Sequence, residues 1–111
     1  MILCERGVSV PHTHRSSSRF LLDLQVIPAA KELTWLPIVT DPSHATFWHP
    51  WVRPMSLASI AAGADGLMLE VHPEPREAAV DPLQAINFDQ FSELLAEGDA
   101  IARVIGRQIL C

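Results

Sequence analysis

Short apolar runs alternate with polar stretches along this chain. Met1-Ile2-Leu3-Cys4 reads as a buried strand with nothing before it. Val8 to Arg19 is polar, with Pro11, His12, His14 and the triplet Ser16-Ser17-Ser18, and reads as a loop. Phe20 to Lys31 mixes strand and helix signals, with Pro28 near an expected helix start. Leu36-Pro37-Ile38-Val39-Thr40 is apolar and partly β-branched, and predicts a second buried strand. It delivers the polar segment Asp41-Pro42-Ser43-His44, expected to be a loop. The loop expectation extends over Phe47 to Pro54, where prolines crowd Trp48 and Trp51. Met55 to Ala62 suits a helix closed by Gly63. Ala64-Asp65-Gly66 predicts a turn. Leu67-Met68-Leu69-Glu70-Val71 predicts a third strand, ending in His72-Pro73-Glu74-Pro75. Apolar positions at Phe88, Phe91, Leu94, Leu95, Ile101 and Ile105 predict an amphipathic helix, weakened in its middle by Gly98.

Strands that alternate with helices imply an α/β fold with a parallel sheet buried on both faces. At 111 residues, one domain (1–111) is the most the length allows. With 49% hydrophobic and 19% charged residues the chain is too apolar to be disordered. A net charge of -5, with Lys31 the one lysine and the arginines scattered, argues against a nucleic-acid surface. No apolar run reaches the roughly 18 residues needed to cross a membrane. The start lacks a basic region followed by a long apolar stretch, so no signal peptide is expected. Cys4 and Cys111 give neither a disulfide framework nor a Cys-x-x-Cys pair, so a reduced, cytoplasmic setting is expected. Cys4 itself is expected to be a small buried hydrophobe.

In parallel α/β folds, chemistry gathers beyond the carboxyl ends of strands. The second strand there presents Asp41 and His44; the third presents Glu70 and His72. A carboxylate inside an apolar run is costly to bury without a partner, and Glu70 follows Leu67-Met68-Leu69 directly. Asp81 comes 11 residues later (81 − 70). His44, Glu70 and Asp81 together make a nitrogen–oxygen ligand set for a divalent metal. The blander alternatives stay open on pattern alone. A histidine after a strand is more often a hydrogen-bonding loop residue, and Asp81 alone reads as a solvated or helix-start residue. His12-x-His14 reads as exposed and inert, and the tryptophans as packing residues. Arg6, at the end of the first strand, either contacts a phosphate bidentately or forms a structural pair with Glu5.

The same residues carry a resemblance. Ile2-Leu3-Cys4-Glu5-Arg6-Gly7, Leu36-Pro37 leading into Asp41-Pro42-Ser43-His44-Ala45-Thr46, and Gly63-Ala64-Asp65-Gly66 leading into Glu70-Val71-His72-Pro73-Glu74-Pro75 resemble the last third of 3-deoxy-7-phosphoheptulonate (DAHP) synthases. The nearest resemblance is to the short bacterial type related to 3-deoxy-8-phosphooctulonate (KDO8P) synthase. It runs from Met1 to about Phe91. It implies the C-terminal part, about strands six to eight, of a (β/α)8 TIM barrel. The implied reaction joins phosphoenolpyruvate to erythrose 4-phosphate and releases phosphate, the entry step to aromatic amino acid synthesis. It also implies a divalent metal of the Mn, Fe, Co or Zn type, held by His44, Glu70 and Asp81. By the same resemblance Arg6 binds the phosphoenolpyruvate phosphate, Asp41 lines the aldose phosphate site, and full-length members are homo-oligomers.

The chain departs from the family pattern in several places. The family's fourth ligand, a cysteine in an early strand, has no counterpart here, and neither has its Lys-Pro-Arg-Thr/Ser segment. Phe47, Trp48 and His49 stand where the family has glycine and basic residues. Pro82-Leu83-Gln84-Ala85-Ile86 stands where it has Gly-x-Gln-Ser-Leu. A barrel needs about 250 residues and eight strands. The chain alone is therefore expected to be a truncated synthase that aggregates or folds only partly and has negligible activity. The alternatives are a piece of KDO8P synthase, from which the serine before His44 argues away, or a non-catalytic half-barrel that pairs with a partner chain.

Overall fold

The structure is a computed structural model that describes residues 1–15 and 20–110. The serine triplet, Arg19 and Cys111 lie outside the described residues. Three strands, β1 (Leu3–Glu5), β4 (Ile38–Thr40) and β5 (Gly66–Leu67), form a parallel sheet in the order β1-β4-β5. Leu3 pairs with Ile38, Glu5 with Thr40, and Thr40 with Leu67. Between β1 and β4 the chain makes a small antiparallel ladder, β2 (Val8–Ser9) with β3 (Phe20–Leu21), and then helix α1 (Val26–Leu33). Between β4 and β5 run α2 (Pro42–Thr46) and α3 (His49–Ala61). A 3-10 turn (Pro75–Glu77) and α4 (Phe88–Val104) follow.

Side chains alternate across a strand, so one face of the sheet meets the helices and the other does not. On the helix face, Ile27, Ile38 and Ala64 form one core cluster, joined by Leu3, Leu24 and Ala30. A second cluster, Val52, Ile86 and Leu94, takes in Leu69, Val71 and Phe91. Helix α4 approaches α3 closely because Gly98 has no side chain. A Cβ there would lie 2.8 Å from Ile60 Cδ1 and 3.0 Å from Ile109 Cδ1. The glycine that lowers intrinsic helix propensity is thus a packing residue. Arg53 on α3 adds a two-pronged ion pair to Glu97 on α4. The opposite face of the sheet carries Cys4, which is exposed, and Met68, 46% exposed. The expected burial of Cys4 fails because its neighbour Leu3 takes the helix-facing position.

Several expected loops are ordered differently. Val8–Ser9 is a strand rather than part of a loop, and pairs with Phe20–Leu21 in the stretch expected to mix strand and helix. The segment after β4 is helix α2, because Asp41 caps it and Pro42 supplies a preset φ at its first position. Helix α3 starts at His49, inside the expected loop, with Pro50 in its first turn, where the missing N–H costs nothing. Its other end closes as expected at Gly63. The Gly63 N–H donates to Ile60 O (2.9 Å) and the Ala64 N–H to Ser59 O (3.0 Å). The third strand is shorter than expected. Beyond Leu67 its partner β4 has already turned into α2, so Val71 bridges to Ile86 instead. Trp48 and Trp51 are half-buried, but Trp35, expected to pack, is 89% exposed. His12 and His14 are exposed.

The amino end of the sheet is tied by Asp65. Its carboxylate accepts from Lys31 Nζ (2.8 Å), from the Ile38 N–H (2.9 Å) and from Arg107 Nη2 (2.7 Å). It thereby joins α1, β4 and the segment after α4. Burial pushes the Asp65 carboxyl up, but the bonds from Lys31, Ile38 and Arg107 outweigh this and hold it at about 2. A carboxyl depressed in the folded state stabilises fully above its unfolded value of about 3.9. That stability is lost as pH falls from about 4 to about 2. Asp65→Asn should therefore melt at lower temperature at neutral pH. It should also lack the part of the acid-induced loss of helical circular dichroism that falls between pH 4 and pH 2 in the unmodified chain.

Candidate metal centre

Beyond the carboxyl ends of β4 and β5 lies a cluster built around Asp41. This residue is fully buried. As the α2 N-cap, its Oδ1 accepts the His44 N–H at 3.0 Å. Its Oδ2 accepts from Arg6 Nε at 2.9 Å and lies 2.8 Å from His44 Nδ1. A carboxylate can only accept, so the contact assigns the proton of the imidazole to Nδ1. His44 Nε2, the other ring nitrogen, then faces the cluster.

Two carboxylates stand opposite that lone pair. Glu70 Oε1 lies 2.9 Å from Nε2 and Asp81 Oδ2 3.9 Å. One ligand atom from each of His44, Glu70 and Asp81 falls within 4.8 Å of the others. A ring nitrogen set against two anionic oxygens calls for a cation between them, either a proton on Nε2 or a metal. The donor set, one imidazole nitrogen and two carboxylates, suits a divalent metal with bond lengths of about 2.0–2.2 Å. The Asp41–His44 contact supplies the carboxylate-to-histidine link that commonly orients a ligating imidazole.

Local structure places each of the three. His44 rides the first turn of α2. The Glu70 N–H donates to Ser43 Oγ at 3.0 Å, which locks the segment after β5 onto α2. Asp81 sits in the left-handed region at φ 49, uncommon for a residue with a side chain. Its turn is closed by the Gln84 N–H donating to Asp81 O at 3.1 Å, and is anchored by the His49 N–H on Leu83 O at 2.7 Å.

Arg6 pairs with Asp41 and not with Glu5. Glu5 instead accepts the Gly7 N–H at 2.7 Å and the Asp23 N–H at 3.3 Å. The Arg6 side chain is 54% exposed, so its outer guanidinium edge faces solvent. The site thus brings together all five residues singled out from the sequence: Arg6, Asp41, His44, Glu70 and Asp81. His72, the other ionisable residue at that strand end, turns aside and accepts the Glu74 N–H at Nδ1, 3.1 Å away. Ser43 and Gln84 were missed. Ser43 stood inside the resembling Asp41-Pro42-Ser43-His44 segment and Gln84 at the glutamine of Gly-x-Gln-Ser-Leu, but neither carried a local sign of its role. At the rim, the Arg15 guanidinium lies 3.7 Å over the Trp48 ring.

A parallel sheet with ionisable groups gathered past its carboxyl ends is the arrangement of an α/β active site. Comparison with known proteins gives the family. The model of the DAHP synthetase I family matches residues 1–105, and the chain belongs to that family. A phospho-2-dehydro-3-deoxyheptonate aldolase from Thermotoga maritima is 39% identical over 109 residues, 98% of this chain and 31% of that protein. Its crystal structure, described as a DAHP synthase, superposes with a TM-score of 0.89. A truncated form of the Thermotoga maritima synthase gives the same score, with 40% of its chain covered. A 2-dehydro-3-deoxyphosphooctonate aldolase from Desulfotalea psychrophila is 29% identical over 108 residues, 36% of its length. The chain therefore spans about a third of the length of the relatives it matches. Among the described residues, no helix is long and apolar enough to cross a membrane.

A titration with Co²⁺ followed by its visible absorbance should show one site per chain. His44→Ala should abolish that signal. Asp41→Asn, which keeps the shape but weakens the hold on the imidazole, should lower the affinity roughly 10- to 100-fold.

Proposed function

We propose that this chain carries the metal side of a 3-deoxy-7-phosphoheptulonate synthase active site. In the whole enzyme, phosphoenolpyruvate and erythrose 4-phosphate condense and inorganic phosphate is released. The observation that carries the reading is the convergence of His44 Nε2, Glu70 Oε1 and Asp81 Oδ2 in a chain of this family. In this reading His44, Glu70 and Asp81 hold a divalent metal of the Mn, Fe, Co or Zn type. When bound, the metal polarises the aldehyde oxygen of the aldose for attack by the enol carbon.

The rest of the proposal concerns the chain's own side chains. Asp41 keeps the proton of His44 on Nδ1 and holds Arg6 in place. It would stand in the loop that lines the aldose phosphate site. Arg6 presents its outer edge to the phosphate of phosphoenolpyruvate, a geometry that suits bidentate contact. We assign β1, β4 and β5 to strands six, seven and eight of a (β/α)8 barrel, whose other strands would supply the fourth metal ligand and the substrate-binding lysines and arginines. A cytoplasmic setting and homo-oligomeric assembly of the whole enzyme go with this reading.

The test is phosphate release with Mn²⁺ present. The chain alone should release negligible phosphate from the two substrates. A chimera that joins it to the preceding two-thirds of the Thermotoga maritima relative should turn over. It should favour erythrose 4-phosphate over arabinose 5-phosphate, and His44→Ala should cost it at least about 100-fold. A folded chimera that is inactive, or that prefers arabinose 5-phosphate, would overturn the proposal.

A further inference from the structure

Gln84 is a fully buried amide beside the metal centre, followed by the buried Ala85 and Ile86. Its Nε2 donates to Glu70 Oε1 at 2.9 Å. Its Oε1 is buried and has no hydrogen-bond partner among the described residues. Flipping the amide would not cure this, because Oε1 would then meet the acceptor-only Glu70 carboxylate. The buried orphan acceptor is thus the consequence of directing the donor end at Glu70. A buried polar atom left without a partner calls for an explanation.

The backbone of the same residue acts on a second group. The Gln84 N–H closes the turn on Asp81 O at 3.1 Å, the turn that holds Asp81 at φ 49. Two residues on, the Ile86 N–H donates to Glu70 O at 3.0 Å, and the His72 N–H donates back to Ile86 O at 3.0 Å. The 81–86 segment is therefore laid along the segment that carries Glu70, and Gln84 touches both.

We propose that Gln84 is a positioning residue of the metal centre. Its side chain fixes the rotation of the Glu70 carboxylate. A carboxylate oxygen has two lone pairs, and the bond from Gln84 occupies one, which leaves the other for a cation held between Glu70 Oε1 and His44 Nε2, 2.9 Å apart. Its backbone fixes the turn that presents Asp81. One residue thereby sets the separation of two acidic ligands, and its removal changes the shape of the site as well as its strength. This rests on the metal reading of His44, Glu70 and Asp81.

Gln84→Met keeps the volume and removes the donor. Co²⁺ titrations of the unmodified chain and of Gln84→Met should show about 10- to 100-fold weaker binding in the variant. At saturating Co²⁺ the visible band should also shift in position or intensity, which a loss of stability alone would not produce. Equal affinity with an identical band would overturn the role of Gln84 and leave the metal reading standing. Absence of Co²⁺ binding by the unmodified chain and by the chimera with the Thermotoga maritima relative alike would overturn both. Should Gln84→Met fail to fold, the side-chain amide of Gln84 in the unmodified chain decides. Its Nε2 protons should be protected from solvent exchange and should shift when Zn²⁺ is added, whereas a freely exchanging amide that ignores Zn²⁺ would overturn the proposal.

Discussion

The site depends on a single buried carboxylate. Asp41 is taken fully out of water, and an isolated carboxylate in that position would be prohibitively costly. Three donors offset the cost: a backbone N–H at the start of α2, the Arg6 guanidinium and the His44 imidazole. Each bond does something beyond solvating the charge. The first starts a helix one residue past the sheet, the second ties β1 to β4 at the rim, and the third decides which nitrogen of His44 is free. Removing one partner from such a buried set leaves an uncompensated charge, worth roughly 3–5 kcal/mol. Helix geometry, the strand-to-strand tie and ligand orientation are therefore coupled through two oxygen atoms.

Around that carboxylate the chain uses irregular backbone to aim side chains that regular structure could not. After Met68, whose N–H still donates to Thr40 O, residues 70–72 leave β4 and take Ile86 as a partner, which lets Glu70 project past the sheet edge. Asp81 reaches the cluster only by adopting a left-handed conformation, and the turn bond from Gln84 holds it there. Residues held in sparsely populated conformations persist where the surroundings over-determine them, and Asp81 fits that description.

The strands, the direction of the chain and the last helix were legible from hydrophobic spacing, because burial on one face imposes a period that the sequence must display. Leu3 and Ile38 facing the helices, and Phe91 and Leu94 on α4, follow that rule. Helix α2 and the start of α3 were not legible as helix. Pro42, Pro50 and Trp48 read as loop residues, although Asp41 followed by Pro42 is also a helix-start signature. Cys4 was misjudged because its burial depends on which face of the sheet is covered, not on its own chemistry. Asp65 gave no sign of its ties to Lys31 and Arg107, since ion pairs 34 and 42 residues apart leave no local pattern. The candidate ligands were found by pattern and resemblance together. Ser43 and Gln84 stood inside the resembling segments, and geometry alone gave them a role.

The two acidic anchors of the sheet stand at opposite ends of its strands. Asp41 gathers the groups at the carboxyl ends, while Asp65 gathers α1, β4 and the segment after α4 at the amino ends. Tolerance to change should therefore be graded along the strand axis. Loop exchanges beyond Asp41 would alter what the rim recognises and leave the frame standing, whereas modest changes around Asp65 would loosen the frame on which every rim loop is mounted. Such a chain can diversify its chemistry by rewriting one end, provided that the other is left alone.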